Sequence, residues 1–172
     1  MIFIQALGIL GALICILSYQ CKENRIYYVG QAVSGLCFSI HFFLLGSYTG
    51  ALLNFINIFR GIGYAAESAK HKRAYWTLLG SSFLYVLATI FTYDGPFALV
   101  ACAAQLIGSA EMFWGHPIGM RVLQFFFVSP GWILYNGNAG SIGGVLCEAF
   151  NMVSILVFFL RTRLLPRLKQ KQ

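Results

Sequence analysis

Charge is the scarcest property of this chain. Of its 172 residues only 10% are Asp, Glu, Lys or Arg, five of them acidic, against 59% hydrophobic. That shortage excludes a soluble domain, because there is too little polar surface to cover such a core. The five cysteines, Cys15, Cys21, Cys37, Cys102 and Cys147, form no CxxC pair and no metal-ligand spacing. They read as small apolar packing residues rather than redox or metal groups. There is no paired His/Glu metal motif, no nucleophile with a base at helical spacing, and no loop long enough to hold a soluble active site. An enzyme is therefore not expected, nor a catalytic residue or a cofactor. Ser34 and Ser39 beside His41 are too loose a pattern for a hydrolase. The first apolar stretch lacks the positive start of a secretory signal, and no lipidation motif occurs. Residues 1–172 are thus expected to form a single transmembrane domain with its first span uncleaved.

What the chain has in abundance is long hydrophobic runs. Seven can be drawn, at residues 3–19, 26–45, 48–66, 75–91, 96–113, 120–135 and 140–160. Each is about 16 to 21 residues, enough to cross a ~30 Å hydrocarbon core at ~1.5 Å per residue. The twelve Lys and Arg residues then fall on one side. Lys22 and Arg25 follow the first run; Arg60, Lys70, Lys72 and Arg73 lie at or after the inner end of the third; Arg121 follows the fifth; Arg161, Arg163, Arg167, Lys169 and Lys171 follow the seventh. Short cytoplasmic loops carry the Lys/Arg excess, so the amino terminus is expected in the periplasm and the carboxyl terminus in the cytoplasm of a bacterial inner membrane. The net charge of +7 belongs to helix ends and a short tail that anchor to anionic headgroups, so the lipid bilayer is the partner it implies and nucleic acid is not.

The connections after the second, fourth and sixth runs are short and rich in turn residues: Gly46-Ser47, Tyr93-Asp94-Gly95-Pro96 and Asn136-Gly137-Asn138. The inner segment 67–73 is the longest break and divides the runs into three, one and three. Three spans reverse the chain, so a lone fourth helix is needed for a second triplet to enter the membrane in the same sense. The expected fold is all-α, with seven transmembrane helices in a 3+1+3 parallel triple-helix-bundle repeat: repeat one 1–66, linker helix 67–93, repeat two 94–160 and a basic cytosolic tail 161–172. Sliding the chain by 94 residues aligns Gly46, Ser47, Gly50, Leu52 and Asn57 with Gly140, Ser141, Gly144, Leu146 and Asn151.

Polar side chains at membrane depth are costly and are functional candidates by default. Asn57 and Asn151 lie ~14 and ~17 Å from the outer ends of their runs, near the midplane. Each has a polar neighbour three residues earlier, Asn54 and Glu148, on the same helix face. Together they suit a small polar solute, hydroxyl-rich or amide-bearing; the competing reading is interhelical glue. Glu148 is expected either to bind a proton during transport or to pair with Arg60, the deepest cation. Arg60 and His41 are candidates for a gate or an ion pair, although a lone His also serves as a packing residue. Gln31 and Gln105 are plausible lining residues, and Glu111 with Arg121 is expected to form an interfacial pair. Trp132 lies 19 residues before Asn151, as Phe38 lies 19 before Asn57, so either ring is placed to stack on a solute. Pro130, within the sixth run, is a candidate hinge.

The segment HFFLLGSYTGALLN at 41–54, with the Ser18-Tyr19-Gln20 ending of the first run and the basic loop after it, resembles the YgjV-like bacterial inner-membrane proteins. That group is similar to the PQ-loop and SWEET-type carriers, whose 3+1+3 bundles move sugars or other small solutes by alternating access. The resemblance implies a solute pocket lined by Asn57, Asn151 and Trp132. The chain departs from those carriers in having no Pro-Gln dipeptide at the end of its first or fifth run. Carriers of the nicotinamide riboside type share the plan, but no two of Trp76, Trp114 and Trp132 form their WxxW pair. A small-solute transporter is the leading expectation, and a non-transporting membrane scaffold or partner subunit is the alternative. Whether copies associate into a homo-oligomer stays open.

Overall fold

In an apolar run a backbone N–H or C=O finds its partner only within its own helix, and that dictates the class of structure. The computed structural model describes residues 1–18, 21, 23–69, 74–114 and 117–161, and every regular element among them is helical. Helix α1 spans Ile2–Ser18, α2 Asn24–Leu45, α3 Tyr48–Ala69, α4 Tyr75–Phe91 and α5 Pro96–Trp114. Helix α6 is one rod in three parts, Pro117–Leu123, a π-helical turn Gln124–Val128, and Ser129–Ala139; α7 is Ile142–Phe159. Among the described residues, Arg25–Leu45, Pro96–Trp114, Ile118–Ala139 and Ile142–Phe159 are long and apolar enough to cross a membrane. Helices α1 and α4 are apolar but have 17 residues each. The readings placed on Tyr19, Gln20, Lys22, Lys70, Lys72, Arg73 and the tail 162–172 lie outside the described residues.

The molecule is apolar outside and polar within. Phe43, Phe59, Phe83, Ile90, Phe126 and Val153 are exposed, whereas Ser34, Thr49, Asn54, Arg60, Gln105, Ser109 and Asn151 are buried. A water-soluble protein distributes these residues the other way, and a bilayer-embedded one does not. Each helix packs on its neighbours in the chain, α3 also touches α5, and α7 returns to α1, so the helices close a ring.

The last step of that ring is a backbone-on-backbone contact. A Cβ at Gly143 would lie 2.4 Å from the carbonyl carbon of Gly8, so only glycine lets α7 approach α1 this closely. Beside it Gln5 Nε2 donates to the Gly140 carbonyl at 2.9 Å, and the Ile142 N–H donates to Gln5 Oε1 at 3.1 Å. The amino-terminal ends of α1 and α7 therefore lie at the same end of the bundle. That end, the turn end, also holds the α4–α5 connection, because Thr49 N–H donates to Asp94 Oδ2 at 3.3 Å and Tyr135 OH donates to the same oxygen at 2.9 Å.

Two of the turns at this end have the same construction. Gly46 (φ 77°) and Gly140 (φ 69°) both adopt the left-handed conformation that glycine enters without steric cost. Ser47 N–H donates to Phe42 O and Ala51 N–H to Ser47 O; Ser141 N–H donates to Asn136 O and Val145 N–H to Ser141 O. Every residue in the second set is 94 positions after its counterpart in the first. This corrects the expected turn at Asn136-Gly137-Asn138, which is helical. The left-handed residue that ends α6 is Gly140, so the Asn-Gly-Asn triplet becomes the last turn and Asn136 points inward and is buried.

His41 is fully buried, with Nδ1 2.7 Å from the Ile4 carbonyl and Nε2 2.8 Å from Ser141 Oγ. A carbonyl only accepts, so Nδ1 carries the proton and Ser141 donates its hydroxyl to Nε2. Ser141 Oγ in turn accepts from Gly144 N–H and caps α7. The residue expected at a gate thus joins α1, α2 and α7 and does not reach the interior cavity. His41→Ala strands the Ile4 carbonyl and the Ser141 hydroxyl at about 1–3 kcal/mol each. The expected outcome is a fall of several degrees in the thermal midpoint of the detergent-purified protein, with the helical circular dichroism of the folded state unchanged.

Candidate functional site

The inward polar groups converge on one axial cavity of about 90 Å³. It runs from Phe42, Trp132 and Asn136 near the turn end to Tyr27, Glu111 and Met112 near the opposite end. Tyr27 and Phe42 share α2, so at ~1.5 Å per residue the seam is about 22 Å long and correspondingly narrow. Asn54, Asn57, Arg60, Gln31, Gln105, Trp132, Phe38, Glu148 and Asn151, all singled out in the sequence, line it. His41 does not.

On α3 the helical spacing of three or four residues strings Asn54, Asn57, Arg60 and Tyr64 along one face. Asn54 Nδ2 donates to Gly50 O at 2.9 Å, Asn57 Nδ2 to Asn54 Oδ1 at 3.5 Å, and Tyr85 OH to Asn57 Oδ1 at 2.5 Å. On α7 the corresponding pair repeats the second of these links: Asn151 Nδ2 donates to Glu148 Oε2 at 3.4 Å. Glu148 Oε2 also accepts from Ser129 Oγ at 2.7 Å and from Gln124 Nε2 at 3.4 Å.

The last two donors come from one helix, five residues apart. In an α-helix five residues turn through about 500°, which leaves i and i+5 about 140° apart. The π turn Gln124–Val128 widens the helix and brings both to the same face, close enough for Gln124 Nε2 to donate to Ser129 Oγ at 3.0 Å. Its cause is Pro130, two residues past the turn, which has no N–H for the carbonyl four residues back and pushes that carbonyl aside. The proline expected as a hinge therefore shapes the binding of the Glu148 carboxyl.

Arg60 and Glu148, for which pairing was one of two expectations, bond to different groups. Arg60 is 8% exposed; its Nη1 donates to Ser109 Oγ at 3.0 Å and to Gln105 Oε1 at 3.4 Å, and its guanidinium lies 5.9 Å from the Tyr85 ring centre. Glu111, expected at the interface beside Arg121, is 6% exposed, lines the cavity and lies in the field of Arg60. Arg121 sits 3.9 Å over the Phe158 ring. Ser109, Gln124, Ser129 and Tyr85 escaped the sequence reading; Pro130 was the one signal for the second and third of them.

Toward the turn end rings crowd the cavity. Phe42 packs against Phe38 (6.1 Å), Trp132 (6.2 Å) and Tyr135 (5.7 Å), and Trp132 meets Tyr135 edge-on at 5.7 Å. Tyr135 OH accepts from Gly50 N–H at 2.6 Å while donating to Asp94, which clasps the plug to the start of α3. Among the described residues no group of three His, Cys, Asp or Glu side chains is placed to hold a metal ion.

Residues 2–165 match the family model Imp-YgjV, described as bacterial inner membrane protein. The chain is 23% identical over 148 residues to inner membrane protein YgjV of Escherichia coli (strain K12), covering 84% of this chain and 75% of that protein. No solved structure matches the chain.

The clustering of donors on one oxygen predicts how position 148 responds to change. Glu148→Gln keeps an acceptor for Ser129 and is expected to unfold within about 2 °C of the parent. Glu148→Leu strands three donors in an apolar surround and is expected to lose about 2–5 kcal/mol, read as a drop of roughly 5 °C or more in thermal midpoint.

Proposed function

The chain belongs to the Imp-YgjV family of bacterial inner membrane proteins, and on that premise we propose that it is a small-solute carrier working by alternating access. The observation that supports this reading is the seam itself, in which Asn57 and Asn54 of α3 and Asn151 and Glu148 of α7 line the same polar cavity beneath the ring of Trp132. A seam of about 90 Å³ is smaller than the ~150 Å³ cavity that takes up a benzene molecule. It suits the smallest polar solutes as it stands and has to widen for a sugar. The aromatic plug with its Tyr135–Asp94 clasp serves as the closed gate at the turn end, and Arg60 stands on the opposite half of the path.

In this reading the seven helices all span, in a 3+1+3 arrangement of two parallel triplets (1–66 and 94–160) joined through α4. The matching turns at Gly46 and Gly140 and the matching Asn57–Asn54 and Asn151–Glu148 links support it. The turn end faces the periplasm, because the described cations Arg25, Arg121 and Arg161 lie toward the other end. Alkaline phosphatase fused after Gly46 or Asp94 is then expected to be active, and inactive when fused at the carboxyl terminus, where a fluorescent protein is expected to mature.

The second reading, a non-transporting scaffold, is favoured by one observation: most polar groups of the seam already bond to one another. Ligand binding separates the two. Thermal unfolding of purified protein across sugars, nucleosides and amino acids is expected to show a rise of about 2–4 °C with one class, by mass action. Asn57→Ala and Asn151→Ala are expected to abolish that rise while membrane abundance stays within about two-fold of the parent. Loss of folded protein in both variants, with no ligand effect in the parent, selects the scaffold.

A further inference from the structure

Nearly every buried polar side-chain atom among the described residues has a partner. Two of the exceptions are Arg60 Nε and Glu111 Oε2. Both residues are more than nine-tenths buried and both line the cavity. An unpaired donor or acceptor in an apolar surround costs several kcal/mol, so leaving two of opposite polarity on the same stretch of seam is a specific arrangement. Arg60 is already oriented, by Ser109 Oγ at 3.0 Å and Gln105 Oε1 at 3.4 Å on Nη1, so its free N–H is held in place. Gly108 keeps the wall beside it open: a Cβ there would come no closer than 3.9 Å to Arg60 Nη1 or to Val128.

A ligand that satisfies both orphans has to present an acceptor to Arg60 and a donor to Glu111 across a short molecule. We propose that Arg60, Gln105, Ser109 and Glu111 form a subsite for a small zwitterion, with the carboxylate on Arg60 and the ammonium on Glu111. This proposal rests on the carrier reading above and names its substrate class as amino-acid-like. Charge-assisted bonds at both ends supply the attraction, and the narrow seam restricts the ligand to the size of glycine or alanine. The Asn57–Asn54 and Glu148–Asn151 links, whose polar atoms are largely satisfied, then hold the seam in the shape that binding requires and do not grip the charged ends.

The test is thermal unfolding of the full-length protein in detergent with glycine, alanine, acetate, methylamine, acetamide and xylose at equal concentration. Glycine or alanine is expected to raise the midpoint by about 2–4 °C, while acetate and methylamine, each carrying one of the two charges, leave it unchanged. Arg60→Gln and Glu111→Gln are expected to lose the rise. Gly108→Val, which fills the open wall and removes no polar group, is expected to weaken the apparent affinity at least ten-fold. It decides the question, with Glu111→Gln, if Arg60→Gln does not purify as a single species. A rise with xylose or acetamide but not with glycine or alanine overturns the zwitterion and leaves the carrier reading standing. A glycine effect that survives Arg60→Gln and Glu111→Gln overturns the assignment to this subsite. No effect of any of these six solutes overturns the zwitterion, and the wider panel of sugars, nucleosides and amino acids then decides the carrier reading separately.

Discussion

Hydrocarbon offers no hydrogen bonds, and the rest of this structure depends on that. A polar side chain on a helix in such a medium has to find its partner inside the ring, from a neighbouring helix or its own previous turn. The demand explains why Asn54 reaches back to Gly50, why Tyr85 turns its hydroxyl to Asn57, and why Gln124, Ser129 and Asn151 crowd onto one oxygen of Glu148. Once almost everything else is satisfied, the few atoms that are not become the informative ones.

The same demand decides what could be read from the chain. Asn57, Asn151 and Gln105 were legible because an amide in an apolar run has no reason to face lipid, and all three line the cavity. Glu111 was not: it lies one turn from the end of α5, where a carboxylate can face headgroups. Only the guanidinium arriving from α3 makes the inward face the better one. His41 stayed open between a gate and a packing residue because its partners, Ile4 and Ser141, are 37 and 100 residues away. Gln124 and Ser129 fall on different faces of an ideal α-helix, so a periodicity of 3.6 hides their common target. The π turn that unites them is written only in Pro130, which also fits a simple kink.

Turn chemistry was legible in type, and misplaced in position only at the last of the three turns. Asn-Gly-Asn has the composition of a loop, yet it closes a helix, because the residue that reverses the chain is the first one able to adopt positive φ with a serine following it. At both Gly46 and Gly140 that is a Gly-Ser pair. The inward turn of Asn136 follows from this shift, and its side chain fills the space that Gly144 leaves.

The contact between Gly8 and Gly143 has a mechanical meaning. Two backbones touching without side chains between them, bracketed by the double hydrogen bond of Gln5, neither slide nor separate without breaking several bonds together. A pivot about the contact is the motion they leave open. The joint sits at one rim of the ring, between the first helix and the last. Any rocking of one half against the other would therefore have its smallest travel there and its largest across the ring, where α4 lies between α3 and α5. In such a motion the fourth helix would be the long arm of the lever.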